Sequence, residues 1–480
     1  MPSYWLGRLI FEKGVAITYL VAFLAVVDQF IPLLGERGLL PVPAFVRRVS
    51  FRRSPSLFHF APHDRAFRIG GWAGVILSLV ALSGVADGSM WSSAPVWAAL
   101  WVLYLSFVNV GQTFYAFGWE SILLETGFFT MFSGSVFTAP DFVLILIWRW
   151  ILFRVMFGAG LIKMRADPCW KDLTCLDFHF ETQPMPNPLS WYFHWMPAWT
   201  HKAGVAYNHL VELAVPFAYF APQPAATVAG VLTIVFQGIL MLSGNLSWLN
   251  FITIVLAIPT LDDGFLRHFF PLRAPVLHVP GEAHQMAIWV LAAVVVWLSV
   301  GPVRNMLSRQ QLMNFSYNPV HLVNTYGAFG GVTRVRFEIV VEGSAAPHGS
   351  SSEWKEYEFR GKPGLPWRRP AQIAPYHLRL DWLIWFAAMQ PYDIPMWFVR
   401  FAAKLLEGDA GTLRLLKINP FPDAPPSYIR ALLYEYHFTT AAERRGSGMW
   451  WKRTLVGSYL PAAGLASLAG PGDGGSLRSR

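Results

Sequence analysis

The strongest constraint on this chain is a succession of apolar runs, each near the length needed to cross a bilayer. A hydrocarbon core about 30 Å thick takes about 20 helical residues. Runs of that order are GVAITYLVAFLAVVDQFIPLL (14–34), WAGVILSLVALSGVA (72–86), APVWAALWVLYLSFVNV (94–110), DFVLILIWRWILFRVMFGAGLI (141–162), AATVAGVLTIVFQGILMLSG (225–244) and QMAIWVLAAVVVWLSV (285–300). Segments 111–134, 207–221 and 245–261 bring the expectation to about eight or nine spans. Backbone facing lipid must satisfy its own polar groups, so the class expected is an α-helical polytopic membrane bundle. Composition agrees: only 14% of residues are charged, against about a quarter in soluble domains. Arg8, Glu12 and Lys13 precede a first run too long for a signal peptide, so a retained span is expected.

The net charge of +9 carries no nucleic-acid motif and reads as loop bias and contact with anionic membrane lipid. Residues 42–69 concentrate Arg47, Arg48, Arg52, Arg53, Arg65 and Arg68 among phenylalanines. That is a surface-lying segment, cytoplasmic by the positive-inside rule.

Ionisable groups at membrane depth need a partner or a wet cavity. Arg149 and Arg154 lie inside the run at 141–162, and Lys163 and Arg165 leave its end. Glu120 and Glu125, five residues apart, do not share a helix face. Either both sit on an interfacial amphipathic helix, or one faces inward and pairs with Arg149 or Arg154. Small residues Gly158 to Gly160 allow close backbone approach. The loop 164–205 is long, but its tryptophans, phenylalanines and prolines suit an ordered cap over the bundle mouth. Asn245, Ser247 and Asn250 offer N-terminal capping for the next helix.

Around the cap cluster Lys163, Arg165, Asp167, Trp170, Asp172, Asp177, His179, Glu181 and Gln183. His209 and Glu212 lie one turn apart on the following apolar segment. Lys163 could fasten the cap through Asp167 or Glu212. Alternatively, desolvation could make it a base supported by His209 and Glu212. Cys169 and Cys175 could close a small disulfide loop in an oxidising compartment, or remain thiols. No ligand-like histidine spacing, nucleotide loop or nucleophile elbow appears, so neither metal nor cofactor is expected.

After Val303 the pattern changes. VTRVRFEIV (332–340) alternates and reads as a half-buried strand, with Arg334, Arg336 and Glu338 facing out. Residues 353–359, 431–438 and 450–460 read as further strands, and 380–389 and 395–408 as apolar helices. The organisation expected is a bundle over 1–303, a soluble antiparallel α+β domain over 304–462, and a loose tail over 463–480.

The segment FGAGLIKMRADPCWKDLTCLDFHFETQPMPNPLSWYFH resembles the signature region of the lipase maturation factors. Matching stretches follow in order: GWESILLETGF (118–128), NHLVELAVPF (208–217), SGNLSWLN (243–250), LVNTYGAFGGVTRVRFEI (322–339) and KPGLPWRRPAQIAPYHLRLDW (362–382). The resemblance implies a multi-pass chaperone of the endoplasmic reticulum membrane. Its clients in animals are secreted lipases of the dimeric, lipoprotein lipase type, contacted by a lumenal C-terminal portion. It marks Arg165 to Gln183 and the stretch from Asn324 through Tyr326 to Gly330 as family-motif positions. Gly361 and Ala371 replace cysteines of the animal members, so no redox contribution is expected there. Residue usage points to a bacterial inner membrane, or to the endoplasmic reticulum in a eukaryote. The element Ala159-Gly160, Lys163, Asp167, Trp170 is also similar to one in the membrane half of vitamin K-dependent carboxylases. That similarity implies a rival, enzymatic reading in which Lys163 acts as a base on a lipid or quinone. The family topology sets the cap on the secretory side, opposite the arginine-rich segment if an odd number of spans intervenes.

Overall fold

The computed structural model describes residues 3–346 and 353–468. Most of the tail expected to be loose, 469–480, lies outside the described residues. Among the described residues, six helices are long and apolar enough to cross a membrane, fewer than the eight or nine expected. They are α1 (Trp5–Leu34), α2 (Asp64–Ser83), α3 (Met90–Val110), α5 (Phe142–Arg165), α7 (Ala225–Ser243) and α9 (Glu282–Leu298, continued by Val300–Leu307). The chain is a multi-pass membrane protein by this architecture. Between these lie the shorter α4 (Gly118–Thr130), α6 (Ala198–His209) and α8 (Leu249–Ala257).

The difference in span count has local causes. Segment 207–221 is broken by a π turn at Leu210–Ala214. Pro216 lacks an N–H, and its ring would crowd the carbonyl four residues back, a conflict that a widened turn relieves. Segment 245–261 spends its first residues on an irregular connection, leaving a helix too short to span. Trp248, not Asn245 or Ser247, occupies the N-cap position of α8, and no side chain caps it. Asn245 instead accepts from the backbone N–H of Ile373 and Ala374 and donates to the Ala371 carbonyl, stitching the bundle to the C-terminal region.

The first span begins earlier than its apolar run. Arg8 is drawn into the fold by the carbonyls of Ser133 and Thr138, and Lys13 pairs with Asp87 at 2.6 Å. Asp263 receives the N–H groups of Trp5, Leu6 and Gly7, capping α1 across the whole bundle.

The C-terminal region holds a four-stranded antiparallel sheet in the order β2-β1-β5-β6. Its strands are β1 (Arg336–Ser344), β2 (Lys355–Glu356), β5 (Tyr428–Phe438) and β6 (Trp451–Ala463), with Ile339 opposite Leu433 and Leu433 opposite Gly457. A separate pair joins β3 (Glu358–Phe359) to β4 (Leu416–Ile418). Helices α10 (Arg379–Ala388) and α11 (Met396–Leu406) bury apolar faces in the same core as the bundle. β1 is not half-buried: Arg336 and Glu338, expected to face water, are inside. Their charges are compensated, because Arg336 donates to Glu338 and Lys362 lies 2.8 Å from Glu338 Oε2.

The arginine-rich segment and the sheet occupy the same end of the bundle. Arg360 pairs with Asp28 near the end of α1 at 2.8 Å, and Arg400 reaches the Leu39 carbonyl. Between this segment and the cap come three of the six long helices, α2, α3 and α5, and the shorter α4.

Candidate functional site

At that end lies a cavity of about 400 Å³, walled by the bundle, the cap and α10. Lys163 stands in its wall at the last turn of α5. Its ammonium lies 2.6 and 2.7 Å from the two oxygens of Glu212 and 3.0 Å from Asn208 Oδ1. Asn208 also donates to Glu212 at 2.9 Å, closing a three-residue ring, and the Trp170 face lies 5.0 Å from the ammonium. The close approach is built by Gly160: a Cβ there would meet Glu212 and Leu213. The π turn carries Glu212 to this point. The amino group of Lys163 thus meets three acceptors, two on Glu212 and one on Asn208.

Of the two supporting groups expected for Lys163, only Glu212 reaches it. His209 turns away, its Nε2 against the Trp170 carbonyl at 2.8 Å. Asp167 pairs with Arg334 at 2.8 Å and receives the Cys169 N–H; these bonds, Arg334 foremost, hold its carboxyl below the usual range. Asn208 was missed by sequence reasoning. Its only signal is its placement four residues before Glu212, the spacing of a shared helix face.

The cap is ordered by its own bonds. Cys169 and Cys175 form a disulfide, and Trp170 donates to the Phe329 carbonyl. Asp177 meets His201 at 2.8 Å. Gln183 donates to the carbonyls of Phe180 and Ser243 and to Ser190. Glu181 receives the Phe438 N–H and lies 3.2 Å from His437. Burial raises the Glu181 carboxyl. For His437, the bonds to Glu435 and Glu181 outweigh partial burial, so its imidazole is raised. Arg336 donates to the carbonyls of Glu181, Gln183 and Pro184, tying the cap to β1. Asp172 is exposed and does not line the cavity. His179 lines the cavity, and burial, aided by the Lys163 charge, pushes its imidazole down to about 4.

Beneath the cavity, α4 is an interior helix, every residue but Phe128 being buried. Its two carboxylates face different partners. Glu125 accepts from Arg154, from the Asn324 side chain and N–H, and from the Tyr326 hydroxyl at 2.8 Å. Glu120 accepts from Tyr104 and from Arg379 of α10. Arg149 pairs with neither; it donates to the carbonyls of Tyr219 and Pro259. Arg165 donates to Gln311 and to the Met306 carbonyl, at the rim. Among the described residues, no group of three or more His, Cys, Asp and Glu side chains is placed to hold a metal ion.

These features define a class: an integral-membrane helical bundle with a lidded, charge-compensated cavity, fused through buried ion pairs to an antiparallel sheet. Residues 6–268 match the family model of the lipase maturation factor transmembrane domain, and residues 322–461 that of the lipase maturation factor C-terminal domain. The chain is 42% identical to Lipase maturation factor 1 of Mus musculus, over 97% of this chain and 88% of the mouse protein. It is 41% identical to Lipase maturation factor 1 of Homo sapiens (97% and 89% covered) and 30% identical to Lipase maturation factor 2 of Xenopus laevis (97% and 83%). No solved structure matches it. The chain belongs to the lipase maturation factor family.

Proposed function

We propose that this chain is a membrane-bound maturation factor that holds a secreted, lipase-like client at the sheet end of the bundle. The observation that carries the reading is full-length likeness to proteins named lipase maturation factor, in both domains and in order. The clasp on Lys163 supports it against the enzymatic alternative, since the lysine that would serve as base is already engaged by Glu212 and Asn208. The client surface proposed is β6, an edge strand on which Leu455 and Val456 are exposed on adjacent positions and so on both faces. An edge of this kind accepts an extended segment by strand addition. The cap's disulfide supports placing this end on the oxidising, secretory side.

Affinity capture of the tagged full chain from membranes of cells co-expressing a secreted lipase tests the reading. Enrichment of the lipase, reduced by Val456→Lys, is expected. Failure to enrich any secreted hydrolase overturns it.

A further inference from the structure

We propose that the cavity at the bundle mouth binds an uncharged single-chain amphiphile, with its acyl chain along an aromatic wall and its hydroxyl or ester head at His179. Client handling is a separate matter, and this inference does not rest on it.

The walls set the tail. Met156 and Ala159 from α5 meet Phe117, Trp119 and Trp382 across the cavity, an apolar lining continuous with membrane-spanning helices. About 400 Å³ falls at the small end of the ~300–1,000 Å³ typical of small-molecule sites, room for one chain rather than two.

His179 sets the head. Its side chain lines the cavity and the residue is only 8% exposed. Among the described residues, neither of its ring nitrogens has a hydrogen-bond partner; its close neighbours are the rings of Phe180 and Phe329. Because the side chain lines the cavity, a polar group entering there can bond to the ring. Held neutral, the imidazole offers one donor and one acceptor, a match for a hydroxyl or an ester carbonyl.

The charges exclude ionised heads. Lys163 is already met by Glu212 and Asn208, so a carboxylate would find no free cation and would lie near Glu212. A cationic head would face the Lys163 ammonium without a free carboxylate to pair with. An uncharged head avoids both penalties.

The test measures binding of radiolabelled 1-oleoyl glycerol and of oleate to the detergent-purified full chain. Folding of each variant is checked by gel filtration and thermal unfolding. Saturable binding of 1-oleoyl glycerol is expected, weakened about tenfold by His179→Phe, the loss of one hydrogen bond. Ala159→Phe, or Leu246→Trp if the first does not fold, fills the cavity and abolishes binding. Oleate is expected to bind more weakly. Absence of saturable binding to folded wild type, unchanged binding in His179→Phe or in the filled variant, or oleate binding as tightly as the glycerol ester would each overturn the proposal. None of these outcomes bears on lipase capture, so failure here is distinguishable from failure of the maturation reading.

Discussion

Arg379 donates to Glu120 at 2.7 Å with neither side chain exposed, although 259 residues separate them. Tyr104 donates to the same carboxylate, and the Tyr115 ring lies 3.4 Å from the guanidinium carbon. The pair couples a helix of the bundle to a helix of the C-terminal region, so the two parts are expected to unfold together. Removing one partner leaves a buried charge uncompensated, which costs about 3–5 kcal/mol, whereas removing both is often tolerated. Denaturant unfolding in detergent should therefore show Arg379→Met and Glu120→Leu each strongly destabilised, and the double variant closer to wild type.

The Cys169–Cys175 disulfide closes a short loop at the start of the cap. A cross-link of that span is worth roughly 2 kcal/mol in a chain-entropy account. Cys169→Ser with Cys175→Ser should speed limited proteolysis within 164–205 while leaving the cleavage rate of the bundle unchanged.

The cap should weaken in mild acid. An unfolded imidazole takes its proton near pH 6.5, but burial delays that of His179 to about 4 in the folded protein. Between these values the unfolded state binds more protons, so stability is full above about 6.5 and falls as pH drops toward 4. The loss amounts to as much as about 3 kcal/mol. His437, raised by its carboxylate neighbours, acts in the opposite sense, so the informative quantity is a difference. Thermal unfolding measured from pH 7 to 5 should show a shallower loss in His179→Phe than in wild type.

Leu455 and Val456 are exposed on the outer strand of the sheet. Surface substitutions of this kind usually change stability by less than about 0.5 kcal/mol. Leu455→Lys and Val456→Lys should keep the unfolding midpoint of wild type and still lower the yield of secreted, active lipase.

Much of this architecture is legible in the sequence. The six long apolar runs became helices, and the segments 431–438, read from its alternation, and 450–460 became β5 and β6. What stayed hidden depends on partners far along the chain. Arg8 reads as a flanking charge until the carbonyls of Ser133 and Thr138 draw it inside. Arg336 and Glu338 read as a solvent face, since alternation reports polarity and cannot tell water from a cap that supplies three carbonyls to Arg336 and a C-terminal loop that brings Lys362 to Glu338. The inward turn of Glu125 was one of two readings, and Arg154 decides it. Arg379 and Asn208 stood in recognisable stretches, but nothing local distinguishes an arginine that will be sealed against Glu120 from one that stays at the surface.

The central claim is that the charges of the cavity fasten the fold, and restoration of lipase secretion tests it most directly. Cells lacking their own maturation factor would receive a secreted lipase together with wild-type chain, Lys163→Met, or Lys163→Met with Glu212→Leu. The account predicts active secreted lipase with wild type, loss with the single variant because Glu212 is left buried and unpaired, and substantial recovery with the neutral double variant. A double variant that reaches the membrane in normal amount, folded, and yet restores nothing would contradict it.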